Sequence, residues 1–206
     1  MDAVDDATLD QFLFQRTTFV LDVDAKANIY GSGHTTPPGG GLMPPGVNLP
    51  AGAQRFLRLT KVTGTIAYFT GNEHHADGQP NVTGVVQGMS YGGLAGPKER
   101  VKRFLSGVFV GASEPADPAP ASLDIGDGTF QELQAALHQI FFAGDGLDGA
   151  TPGARQVFWI PPGATRLFFG FMDSSSAGGT TPSNYDDNTG SLHVEGEILV
   201  VMNGGG

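Results

Sequence analysis

The sequence predicts an all-β protein, a jelly-roll-like β-sandwich with long Gly/Pro-rich loops. Three observations lead there. Apolar runs of strand length, several of them alternating, recur along the 206 residues. The 32 glycines and 14 prolines cluster between those runs and mark turns. Helical periodicity is confined to short segments, and many short strands with little helix is the pattern of a sandwich. Hydrophobic residues make up 39% of the chain, enough for one core.

Residues 1–16 read as an N-terminal arm, acidic and then mixed, with Leu9, Phe12 and Leu13 at helical spacing. Residues 17–24 alternate as a strand, and Ile29-Tyr30 extends it after a bulge. Residues 31–52, dominated by Gly and Pro, form a long loop. Residues 54–69 are strand material with Phe56, Val62, Ile66 and Tyr68 inward and a bend at Gly64. A polar, glycine-rich excursion fills 70–100, a strand 101–112, and a Pro/Asp/Gly loop 113–128. Leu133, Ala136 and Leu137, with Glu132 early, predict a short helix over 130–137. Residues 139–142 and 155–160 read as two strands joined by Gly144–Gly149, in which glycines supply a tight hairpin turn, with a second calcium site as the alternative reading. Pro161-Pro162-Gly163 is a turn. Residues 165–172 and 190–201 are the last strands, with Leu192, Val194 and Ile198 facing in. No linker divides 17–206, so one domain is expected.

Composition excludes several functions. The formal net charge of -10 repels nucleic acid and anionic lipid surfaces. With no cysteine, disulfide scaffolds, thiolate zinc sites and cysteine nucleophiles are out. No apolar stretch is long enough to span a bilayer. Asp2, Asp5, Asp6 and Asp10 have the wrong charge for the start of a signal peptide, so Met1 reads as replacing a removed leader. The Gly-x-Ser-x-Gly elbow and the P-loop are both missing, and no residue set supports an enzyme.

One constellation has the chemistry of a hard cation. Asp173 closes a strand, and Asn184-Tyr185-Asp186-Asp187-Asn188-Thr189-Gly190-Ser191 leads into the next. Calcium takes six to eight oxygens from carboxylates, amides and carbonyls, which a loop pinned between two strands can gather. An Asn/Asp-rich turn is the alternative reading.

The stretch Phe168-Phe169-Gly170-Phe171-Met172-Asp173, followed by Asn184 to Val194, resembles the LecA-like galactose-binding lectins. There an aspartate ends a strand and a Tyr-x-Asn-Asn-Ser-Gly-Ser turn feeds the next. Calcium (Ca2+) bridges the protein to two sugar hydroxyls. The resemblance implies Asp173, Asp187 and Asn188 as side-chain ligands and the Asn184 carbonyl as a backbone ligand. Asp187 stands where the family has Asn. Val62-Thr63-Gly64-Thr65-Ile66-Ala67-Tyr68 is similar to the family strand that ends in a ligating tyrosine carbonyl, which implies Tyr68. His74 and Gln79 match its sugar contacts, with His75 the rival of His74. The wider pattern, including Gln139–Leu147 and Gly163–Leu167, also resembles secreted bacterial β proteins.

Other groups carry less. Glu73, His74, His75 and Asp77 offer zinc ligands, a solvated loop or a sugar contact. Lys98, Arg100, Lys102 and Arg103 read as a solvated edge strand guarded by lysines. Trp159 reads as core rather than a sugar platform. The expectation is a secreted or cell-surface, calcium-dependent carbohydrate-binding protein, homo-oligomeric for avidity. The alternative is a calcium-stabilised, self-assembling surface protein.

Overall fold

A computed structural model describes residues 14–80, 84–150, 153–173 and 181–202. Most of the N-terminal arm, the segment 174–180 and the last four residues lie outside them. The strands in chain order are β1 (Phe14–Asp24), β2 (Gly46–Asn48), β3 (Arg55–Ala67), β4 (Glu73–His74), β5 (Gln79–Pro80), β6 (Val86–Gln87), β7 (Lys98–Glu99) and β8 (Val101–Lys102). Then follow β9 (Ser106–Val110), β10 (Asp124–Gly126), β11 (Glu132–Gln134), β12 (Ile140–Phe142), β13 (Val157–Trp159), β14 (Arg166–Gly170) and β15 (Thr189–Val201). No α-helix occurs among the described residues, and none is long and apolar enough to cross a membrane.

Two main sheets make the all-β sandwich. One runs β1-β15-β3-β13-β11 with β4 paired to β3, and the other runs β12-β9-β14-β2. Leu57, Leu59, Leu192, Val194 and Ile198 of the first sheet share one core with Phe109, Phe141, Leu167 and Phe169 of the second. Alternation places them there, because every second residue of β3 and β15 faces the partner sheet. The long β3–β15 ladder runs from Thr189 opposite Ala67 to Val200 opposite Arg55.

Several sequence expectations need correction. The helix over 130–137 is strand β11, parallel to β13. Its ladder with β13, and Trp159 Nε1 donating to Glu132 Oε2 at 3.1 Å, override a weak helical pattern. Residues 139–142 and 155–160 do not form a hairpin, for β12 and β13 belong to different sheets. Gly144–Gly149 carries the chain between the sheets through Asx-type turns, with Leu147 N–H donating to Asp145 Oδ1 at 2.8 Å. The irregularity in β3 lies where Glu195 pairs Lys61 and Gly196 pairs Leu59, which leaves Thr60 as the extra residue. Gly64 is required for another reason: a Cβ there would collide with the Ser191 carbonyl of β15. Ile29-Tyr30 lies in a 3-10 turn, Ile29–Gly31, rather than extending β1. Residues 14–16 belong to β1, so the strand starts earlier than expected.

The 31–52 loop is ordered around one residue. Asn28 is fully buried. Its Nδ2 donates to the Pro38 and Gly40 carbonyls at 2.7 and 2.9 Å, and its Oδ1 accepts from Tyr30 N–H at 3.0 Å. Trp159 is half-buried, edge-on to Phe56 with ring centroids 4.7 Å apart.

Candidate functional site

The register of β3 and β15 builds the site. Thr189 pairs with Ala67, so Tyr68 and Asn188 are the next positions outward on the two strands. The Asp-rich loop therefore ends beside the tyrosine. Asp173 reaches the same place from the end of β14. Tyr185 ties the pieces together. Its buried hydroxyl accepts from Asp173 N–H at 3.1 Å and lies 3.1 Å from both Asn28 Oδ1 and the Phe171 carbonyl. One hydroxyl proton serves one of those two acceptors. Ser183 N–H donates to the Asp173 carbonyl at 3.3 Å. Asn184 has φ 72, a left-handed conformation that Asn tolerates.

Tyr68, Asp173, Asn184 and Asp187 line one cleft of about 390 Å³. Asn188 is fully buried next to Asp187; its Nδ2 donates to the Ala25 carbonyl at 3.0 Å, and its Oδ1 has no hydrogen-bond partner. Tyr68 donates to the Met172 carbonyl at 3.4 Å, and burial, aided by the charges of Asp173, Tyr185 and Glu99, holds its hydroxyl well above the ordinary range.

The other expected residues are placed differently. His74 adjoins the cleft through Arg103, whose Nη1 lies 3.4 Å from His74 Nε2; Asn72 Oδ1 lies 2.9 Å from the same nitrogen. That nitrogen can accept from Arg103 or donate to Asn72, but not both. Burial, then the charges of Arg103 and Lys102, lower the His74 pKa. His75 opens instead on a separate depression with Asp77 and Asp145. Gln79 lines a third, with Arg100 and Asp127, so the structure does not bring it to the Asp173 cleft.

Sequence reasoning missed Glu99, Lys102 and Arg103, which line the cleft wall. The run Lys98–Arg103 is a solvated edge only in part: Lys98 and Arg100 are exposed and β8 pairs with β5 alone, but β7 is the middle strand of β10-β7-β6. The signal was the alternation. Lys98 and Arg100 are exposed, whereas Glu99 shares the buried phase of Val101.

Glu99 is 9% exposed with Oε2 lacking a hydrogen-bond partner. Burial raises its pKa from 4.5 to about 8. The folded chain then holds a proton that the unfolded chain has released between those values. Stability from this group is complete below about pH 4.5 and is lost as pH rises toward 8. Glu99→Gln is expected to remove that slope and to stabilise the protein at pH 7 by on the order of 3 kcal/mol. Urea melts of both proteins at pH 5 and pH 7 check this; parallel pH dependence would contradict it.

Among the described residues no group of three or more His, Cys, Asp or Glu could hold a metal ion. Cation chemistry at the Asp173 cleft therefore rests on two carboxylates with amide and carbonyl oxygens. That donor set suits calcium rather than zinc. No family model, curated protein or solved structure matches the chain.

Proposed function

We propose that this chain is a calcium-dependent, non-catalytic carbohydrate-binding protein, secreted or displayed at a bacterial surface. One observation carries the reading. Tyr68, Asp173, Asn184 and Asp187, singled out from two distant stretches of sequence, line one cleft. The carboxylates of Asp173 and Asp187 and the carbonyls of Tyr68 and Asn184 are the ligands in this reading. Asn188 contributes its side-chain oxygen, a buried acceptor with no protein partner, of the kind that a bound ion accounts for. Bound calcium supplies open coordination positions for sugar hydroxyls, galactose-type by the resemblance. His74, beside the cleft, is a sugar contact in this scheme.

A single such site binds weakly, so avidity through a homo-oligomer follows. The six-stranded sheet offers an edge for it. β1 pairs along eleven residues with β15, and no described strand pairs with its other side. That edge also suits the second reading, a self-assembling surface subunit.

A glycan array read in calcium and in chelator tests the proposal. Binding of galactose-type glycans that chelator abolishes is expected. No glycan signal in calcium, together with polymers seen by electron microscopy, would favour the assembly reading.

A further inference from the structure

We infer that the cleft selects an anionic saccharide, with Lys102 and Arg103 receiving its carboxylate or sulfate group. The inference rests on the carbohydrate reading above and adds the class of sugar.

The chain has 21 acidic and 11 basic residues. In so acidic a protein, two neighbouring cations that line a cleft and form no ion pair with the carboxylates around them are conspicuous. The ion pairs among the described residues involve Arg16, His34, Arg58, Lys61 and His193, and neither Lys102 nor Arg103 joins one. Glu99, on the same wall, does not compensate them. It is buried, and Oε2 has no hydrogen-bond partner.

Arg103 is held in place rather than free to swing. Its φ of 61 is left-handed, a conformation that costs energy for a residue with a side chain and is kept only where the surroundings enforce it. Its Cζ lies 5.5 Å from the Tyr68 ring centroid and 5.4 Å from that of Phe69. These cation–π contacts and the His74 nitrogen hold a planar fork of N–H donors at the cleft. A fork of that shape matches a carboxylate or a sulfate with two parallel hydrogen bonds. Phe69 lines the same cleft and is 50% exposed, an aromatic surface for the C–H face of a sugar ring.

The division of labour is between two sets of residues that line the one cleft. Asp173 and Asp187 stand on the calcium side, where sugar hydroxyls bind. Lys102 and Arg103 stand where a charged substituent of the same sugar is received. A neutral hexose uses only the first.

Calorimetry of the full chain in calcium tests this with galacturonic acid, its methyl ester, galactose 6-sulfate and galactose. The acid, the sulfate or both are expected to bind about tenfold or more tightly than the ester and galactose, the size of a charge-assisted hydrogen bond. Binding by only one of the two identifies the anionic group. Lys102→Gln and Arg103→Asn should each bring the charged-to-neutral affinity ratio toward one; Asn is chosen because it tolerates the left-handed backbone. Melting curves confirm that the variants fold, and Lys102→Gln stands alone if Arg103→Asn does not. Equal affinity for charged and neutral sugars overturns the inference and leaves the lectin reading standing. A preference that survives in the folded variants also overturns it, by assigning the anion to calcium. Failure of all four sugars to bind overturns the lectin reading itself.

Discussion

Glu197→Ala is expected to destabilise the fold by about 3–5 kcal/mol, the cost of breaking a buried ion pair from one side. Glu197 is 7% and Arg58 5% exposed. They stand opposite each other on β15 and β3. Arg58 Nε and Nη2 donate to Glu197 Oε1 at 2.9 and 2.6 Å, and Arg16 Nη1 of β1 donates to Oε2 at 3.1 Å. One carboxylate thus binds three adjacent strands. Alanine removes it, and with it both hydrogen bonds that the carboxylate accepts from the buried Arg58 guanidinium. Arg16 has a side chain 47% exposed, so its part of the pair is expected to contribute little. Replacing both buried partners, with Arg58→Met and Glu197→Leu together, should recover most of the loss, since apolar packing removes the desolvation penalty of both charges. Urea unfolding of the three variants measures this. A loss below about 1 kcal/mol for Glu197→Ala would show that the pair is not desolvated as described.

The second large effect concerns the cation. A ligand that binds only the folded state at about a hundred times its Kd stabilises by about 2.7 kcal/mol. For a domain of this size that is a rise in melting temperature of about 5–10 °C. Asp173→Ala and Asp187→Ala are each expected to abolish the calcium-dependent part of it. Asp187 is exposed, so its removal should barely change the melting temperature in chelator. Asp187→Asn restores the amide found in the resembling family and should keep part of the calcium response through its side-chain oxygen. A full calcium response in Asp187→Ala would remove that residue from the ligand set.

The sandwich was legible because strands carry their own signal. Leu192, Val194 and Ile198 alternate, and all three are buried. The Asp/Asn-rich loop could be singled out for a different reason, since strand-loop-strand spacing around Asp173 and Asp187 is visible in one dimension. Pairing partners were not. Nothing local says that Gln139–Phe142 and Arg155–Ile160 join different sheets, because apolar runs look alike wherever they pair. Glu132–Gln134 reads as helix in isolation and becomes strand through its ladder with β13. The basic wall of the cleft was hidden by composition. Lys98–Arg103 is a run of charges, and the burial of Glu99 within it appears only once β7 is seen between β10 and β6. Asn28 has no sequence signature, and although Tyr185 heads the quoted turn motif, nothing local shows that its hydroxyl reaches Asn28 to lock the loops behind the cleft.

The most direct test of the calcium proposal is a crystal structure of the full chain grown with calcium and galactose. One ion is expected about 2.3–2.6 Å from oxygens of Asp173, Asp187 and Asn188 and from the Tyr68 and Asn184 carbonyls, with two sugar hydroxyls in its coordination shell. A cleft without calcium under those conditions, or calcium bound only elsewhere, such as at Gly144–Gly149, would contradict the account.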